Sequence, residues 1–266
     1  MVESFIKRNI FFLLMIIPLV NGKEAVNESR TKSQVLGNRQ VFLFVHGAWG
    51  GGWEYSEVDS ILTEKGHAVY HPTLTGLGER SHLADESINL TTHINDVVNV
   101  IKFENLDQII LIGHSYGGMV ISGVAEQVPS RIKHLIYVDA FVPKDQESIK
   151  SIVGDEAWKG LTATRMKDGF ILYPFGETKS VPPTDVPQPL ATFTESLTII
   201  NPLVEKIPTA YILMTRNGNA NFESGAQRGR ERGWRIYEIE GDHYPMRNQP
   251  DILVEKIEFI LQNGLN

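Results

Sequence analysis

Short apolar runs alternate along the chain with longer stretches whose apolar residues recur at helical spacing. Val41 to Val45 is uninterrupted apolar sequence and predicts a buried strand. Trp53 to Lys65 carries Trp53, Val58, Ile61 and Leu62 at helical spacing before Gly66 ends the pattern. A strand over His67 to His71 is closed by Pro72, and a helix over Thr92 to Phe103 gathers Ile94, Val97, Val98 and Ile101 on one face. Ile109 to Ile112 predicts the next strand, Met119 to Val128 the next helix, and Ile132 to Val138 a further strand. From Thr209 the pattern resumes with a strand at Ala210 to Met214, a helix near Phe222 to Arg232, a strand at Trp234 to Ile239 and a closing helix from Pro250 to Gln262. This order predicts an α/β fold: a mostly parallel central sheet with helices on both faces.

The alternation breaks down between about residues 143 and 208, where Pro174, Pro182, Pro183, Pro187, Pro189 and Pro202 are dispersed among Trp158, Phe170, Tyr173, Phe175 and Phe193. That much aromatic surface is too apolar for a solvated tether, so the segment reads as a small cap inserted into one domain spanning residues 40–264.

Residues 1–22 place Lys7 and Arg8 before the apolar run Ile10 to Val20, followed by Gly22, the layout of a secretory signal peptide. The run is short for a bilayer span. An uncleaved membrane anchor is the competing reading, and Ala25 offers a second cleavage point. Residues 23–39 form a polar segment ahead of the domain. Hydrophobic residues make up 42% of the chain and charged residues 21%, enough to bury one large core. The net charge of −7 disfavours nucleic acid as a partner. The absence of cysteine excludes disulfides, thiol catalysis and thiolate metal sites.

The chemistry centres on Gly113-His114-Ser115-Tyr116-Gly117, a G-x-S-x-G sequence set between a predicted strand and a predicted helix. A serine there sits on a strained turn with its Oγ exposed at a helix N-terminus, where the dipole favours developing negative charge. Serine needs a base, a group to orient that base, and donors for the oxyanion. His243, in Gly241-Asp242-His243-Tyr244-Pro245 between the last strand and the last helix, is the candidate base. The glycine-rich stretch His46 to Gly52 follows the first strand, and the Ala48 and Tyr116 N–H groups form the candidate donor pair. A phosphate loop does not fit, because no Gly-Lys-Ser/Thr follows and the G-x-G-x-x-G spacing is absent. For the acid, Asp139 closes a strand on the functional edge of the sheet. Asp242 adjoins the histidine and Glu223 opens a helix, which makes both weaker alternatives.

Together, His46-Gly47-Ala48-Trp49, the serine pentad and Gly241-Asp242-His243 resemble the α/β-hydrolases, in particular the small-ester hydrolase branch with plant methylesterases and hydroxynitrile lyases. The resemblance covers about residues 40 to 264. It implies a Ser, His and acid triad without metal or cofactor, with Ser115 and His243 carried over directly. The lyases have threonine and lysine where this chain has Gly47 and Tyr244, which argues against cyanohydrin cleavage. The usual acid position falls near Asn219, whereas some hydrolases of this fold place the acid after the sixth strand, in favour of Asp139. Trp49, Tyr116, Phe141 and the cap aromatics point to an apolar acyl or aryl pocket. Arg80 and His82 border it, either meeting a polar substrate group or belonging to a loop held by its own hydrogen bonds. The expected protein is a secreted or periplasmic serine carboxylesterase for small-molecule esters, in contact with membrane only if residues 1–22 stay attached. Lactone, amide or C–C hydrolysis on the same triad, and a ligand receptor on a hydrolase scaffold, are the alternatives.

Overall fold

A computed structural model describes residues 39–216 and 218–264. The predicted signal peptide at 1–22 and the polar segment up to residue 38 lie outside the described residues.

Six strands form one parallel sheet: β1 (Val41–Val45), β2 (Ala68–Tyr70), β3 (Ile109–His114), β4 (Ile132–Val138), β8 (Thr209–Met214) and β9 (Arg235–Ile239), in the order β2-β1-β3-β4-β8-β9. Alternate residues of the central strands face opposite sides. Leu43, Val45, Ile109 and Leu111 enter one buried cluster, and Phe42, Phe44, Ile110 and Ile112 enter the other. The first cluster is covered by α2 (Leu90–Phe103), α3 (Gly117–Gln127) and α6 (Ala220–Glu231), the second by α1 (Ser56–Glu64) and α8 (Pro250–Asn263). In α8, Leu253, Ile257 and Ile260 are fully buried at i, i+4 and i+7. Each contributes about 1.5–3 kcal/mol over an exposed position.

The strand order reverses at β1: the chain leaves it outward to β2 and returns on its other side as β3. Loops leaving the carboxyl ends of β1 and β3 therefore diverge and open a crevice, which is where ligands bind in sheets of this kind.

The segment between β4 and β8 is not irregular throughout. It contains α4 (Ile149–Ala163) and a small antiparallel sheet of β5 (Met166–Lys167), β6 (Phe170–Ile171) and β7 (Gln188–Pro189), followed by α5 (Ala191–Thr194). Ser148 and Ser151 close the N-terminus of α4 with a capping box. Gly154, at φ 80°, kinks it. The helical period is faint in the sequence because Ile149 is the only residue of α4 that is fully buried. Among the described residues no helix is long and apolar enough to cross a membrane.

Candidate active site

Ser115 occupies the turn between β3 and α3 with φ 53°, a left-handed conformation that costs a non-glycine residue about 1–2 kcal/mol. Backbone hydrogen bonds hold it there. Its N–H donates to the Val138 carbonyl at 3.2 Å, and its own carbonyl accepts from the Gly118 and Phe141 N–H groups at 3.1 Å each. A Cβ on Gly117 would stand 2.5 Å from the Val45 carbonyl oxygen. Only glycine lets the first turn of α3 lie against the end of β1, which brings Ser115 beside the loop that follows β1.

In that loop His46 is fully buried and its pKa is lowered to about 3, chiefly by burial. The Leu74 N–H donates to Nε2 at 3.0 Å, so Nδ1 carries the proton and donates to the Gly47 carbonyl at 2.7 Å. A trans peptide points its N–H away from its carbonyl. Anchoring the Gly47 carbonyl therefore aims the Ala48 N–H. Among the described residues, neither the Ala48 N–H nor the Tyr116 N–H at the start of α3 has an acceptor in the protein.

Asp139 ends β4 with φ 43° and is completely buried. Its N–H donates to the Ile212 carbonyl at 2.8 Å, Oδ1 accepts the Met214 N–H at 3.2 Å, and Oδ2 lies 2.7 Å from His243 Nδ1. The carboxylate thus holds the Nδ1 proton and leaves the lone pair on Nε2. His243 sits on the turn between β9 and α7 (Pro245–Asn248). Three contacts hold that turn. His114 Nε2 donates to the His243 carbonyl at 2.7 Å, Asp242 Oδ1 accepts the Tyr244 N–H at 2.9 Å, and Asn248 Nδ2 donates to Asp242. The Phe222 ring stacks on the His243 imidazole at 4.5 Å between centroids, with Phe141 5.4 Å beyond it.

The structure thus brings Ser115, Asp139, His243, Ala48 and Tyr116 to one edge of the sheet. Of the weaker acid candidates, Asp242 braces the turn and Glu223 is exposed on α6. Asn219 caps α6, accepting the Asn221 N–H at 3.0 Å. Trp49 is buried among Tyr173, Phe175 and Phe193 of the cap, with centroids 5.6 to 6.1 Å away. Arg80 donates to the Thr73 carbonyl at 2.8 Å and reaches Asp96 of α2 at 3.5 Å, tying its loop to that helix.

Several residues of the site carried no motif. His93 is buried on α2, four positions before Val97 on the same apolar stripe, where a polar residue stands out. Its Nε2 donates to the Thr75 carbonyl and its Nδ1 accepts from the Tyr116 hydroxyl, both at 2.9 Å, and burial lowers its pKa to about 4. Arg247, on α7, stacks on the Trp53 and Tyr244 rings and pairs with buried Glu54 and with Asp185 of the cap at 2.9 Å. Burial raises Glu54 to about pH 7 against the pull of Arg247.

Residues 42–256 match the sequence profile of the alpha/beta hydrolase family. The chain belongs to that family. It is 50% identical over 112 residues to a carbendazim hydrolyzing esterase of Nocardioides sp. (strain SG-4G), a match covering 42% of this chain and 46% of that protein. It is 30% identical over 103 residues to salicylic acid-binding protein 2 of Nicotiana tabacum, covering 38% and 40%. The chain spans about half the length of the curated relatives it matches. Among solved structures, an extracellular alpha/beta-hydrolase from a Paenibacillus species, described as sharing structural and functional homology with the tobacco protein, superposes with a TM-score of 0.70 at 26% identity. That superposition covers 85% of this chain and all of the other.

Proposed function

We propose that the chain is a serine carboxylesterase acting on esters of small apolar or aromatic compounds. The observation that carries this reading is the 2.7 Å contact between Asp139 Oδ2 and His243 Nδ1 beside a serine on a strand-to-helix turn. In the proposed reaction His243 Nε2 takes the Ser115 proton as Oγ attacks the ester carbonyl. The oxyanion that forms is stabilised by the Ala48 and Tyr116 N–H groups, where losing one donor typically costs about 2.7–4 kcal/mol. Asp139 keeps the imidazole in its reactive tautomer and stabilises the imidazolium. His243 then protonates the departing alcohol, and water, activated by the same histidine, hydrolyses the acyl-enzyme.

Trp49, Phe141 and Phe222 support an apolar pocket wall, because they gather aromatic surface around the imidazole and the donor loop. Export rests on Lys7, Arg8 and the apolar run that follows them. A panel of phenyl, benzoyl and alkyl esters, with carbendazim included because a relative is named for hydrolysing it, tests the substrate class. Turnover of aryl and short alkyl esters is expected. Uniform lack of turnover across the panel would overturn the reading in favour of a ligand receptor.

A further inference from the structure

We infer that Gln188, a residue of the cap sheet, is a positioning residue for the oxyanion hole. The inference rests on the reading of the Ala48 N–H as an oxyanion donor. Ala48 stands between two anchored peptides. On one side His46 Nδ1 holds the Gly47 carbonyl at 2.7 Å, and on the other Gln188 Oε1 accepts the Trp49 N–H at 3.0 Å. Rotation about both backbone bonds of Ala48 is stopped, so the direction of its N–H is set.

Trp49 itself has φ 64°, which a bulky residue keeps only where its surroundings over-determine it. Those surroundings are supplied by the cap. Besides the Gln188 bond, the Val186 N–H donates to the Trp49 carbonyl at 2.8 Å, and Trp49 Nε1 donates to the Ile171 carbonyl at 2.9 Å. Ile171 and Gln188 are paired partners in the cap sheet, so a single rung holds both the backbone and the indole of Trp49.

The amide of Gln188 is fully buried, and its orientation is set by its neighbours. The Thr192 hydroxyl donates to the Pro189 carbonyl at 2.7 Å, which leaves it to accept from Gln188 Nε2 at 2.7 Å. Oε1 must then face the Trp49 N–H. A buried amide whose acceptor reaches 139 positions back along the chain makes the cap part of the catalytic apparatus as well as a roof over the pocket.

Two variants test this. Gln188→Met keeps the volume and removes both hydrogen bonds. Gln188→Glu places a carboxyl at a fully buried position, where burial favours the neutral acid. Its carbonyl accepts the Trp49 N–H while its hydroxyl donates to Thr192; ionisation at higher pH then leaves a carboxylate oxygen facing the Thr192 oxygen, whose proton is committed to the Pro189 carbonyl, and sets a negative charge beside the oxyanion loop. For Gln188→Met, kcat on phenyl acetate is expected to fall about 10- to 100-fold with KM within about twofold of wild type. Affinity for an aryl trifluoromethyl ketone should weaken by the same factor. For Gln188→Glu, the ratio of its kcat to that of wild type should be near one at pH 6 and decline as pH rises.

An unchanged kcat in Gln188→Met, or a raised KM with kcat intact, would overturn the inference. So would a Gln188→Glu ratio that is low and flat with pH, which remains decisive if the methionine variant does not fold. An active wild type whose Ser115→Ala variant is dead, together with an active Gln188→Met, refutes this inference alone. A wild type without esterase activity refutes the catalytic reading and takes this inference with it.

Discussion

Asp139 and His243, 104 positions apart in the chain, meet at 2.7 Å because β4 and the turn after β9 end on the same edge of the sheet. The carboxylate is fully buried, and its second oxygen is engaged by the Met214 N–H at 3.2 Å. An asparagine would keep the shape and lose control of the tautomer. Asp139→Asn should lower kcat about 10³- to 10⁴-fold with little change in KM. Glu223→Gln, on an exposed face of α6, should stay within about twofold of wild type. Steady-state kinetics on both variants checks this, and an Asp139→Asn enzyme retaining most of its activity would move the acid elsewhere.

His114 holds the turn that carries His243 through its 2.7 Å bond to the His243 carbonyl. Burial lowers its pKa, so it stays neutral. Its other nitrogen, Nδ1, lies against Gly47, where an added Cβ would stand 2.9 Å away. His114→Phe removes the bond and should lower kcat about tenfold, at a stability loss of about 0.5–1.5 kcal/mol. Gly47→Thr should be at least as damaging by crowding the same ring. Kinetics together with thermal melts separates the two effects; a His114→Phe variant with wild-type kcat would remove His114 from the positioning set.

Acid sensitivity follows from the buried histidines. His46 is held near 3 and His93 near 4, below the ordinary value of 6.5. Between pH 6.5 and those values the unfolded chain binds protons that the folded chain does not, so stability rises with pH across this window and falls on acidification. Each group contributes a slope of up to about 1.4 kcal/mol per pH unit. Denaturant titrations of wild type and His93→Gln between pH 6 and 4.5 should differ in slope by about that amount. Parallel slopes would mean that His93 is not buried as a neutral ring.

The cap is tied to α7 through Asp185 and Arg247, whose side chains are 13% and 23% exposed. Asp185→Asn removes one carboxylate and leaves Glu54 as the partner. The loss of stability should be about 1–2 kcal/mol, below the full penalty for breaking a buried pair. Faster proteolysis between residues 176 and 187, at unchanged cleavage elsewhere, would report local loosening of the cap. Unchanged cleavage there would contradict a latch at this pair.

The extents of β1 and β4 were legible residue for residue, because five and seven apolar-rich positions facing two covered sides leave little latitude. Turn chemistry and chain order single out Ser115 and His243 as candidates, and the structure sets both on turns at one edge of the sheet. Asp139 was legible only as a strand-end carboxylate on the functional edge, since nothing in the sequence reports that it lies beside a turn 104 positions later. Gln188 carried no signal, as its role is set by a rung of the cap sheet and by the buried Thr192, both tertiary features. The kinked α4 was hidden by its exposed faces and by Gly154.

Acyl-enzyme formation on Ser115 is the step on which the proposed esterase reaction stands. Intact-protein and peptide mass spectrometry after rapid acid quench of the chain with p-nitrophenyl butyrate reads this step, alongside release of p-nitrophenol. A butyryl adduct is expected on the peptide containing Ser115, with turnover and adduct both lost in Ser115→Ala. Undiminished hydrolysis by Ser115→Ala, or an adduct on another residue, would contradict this step.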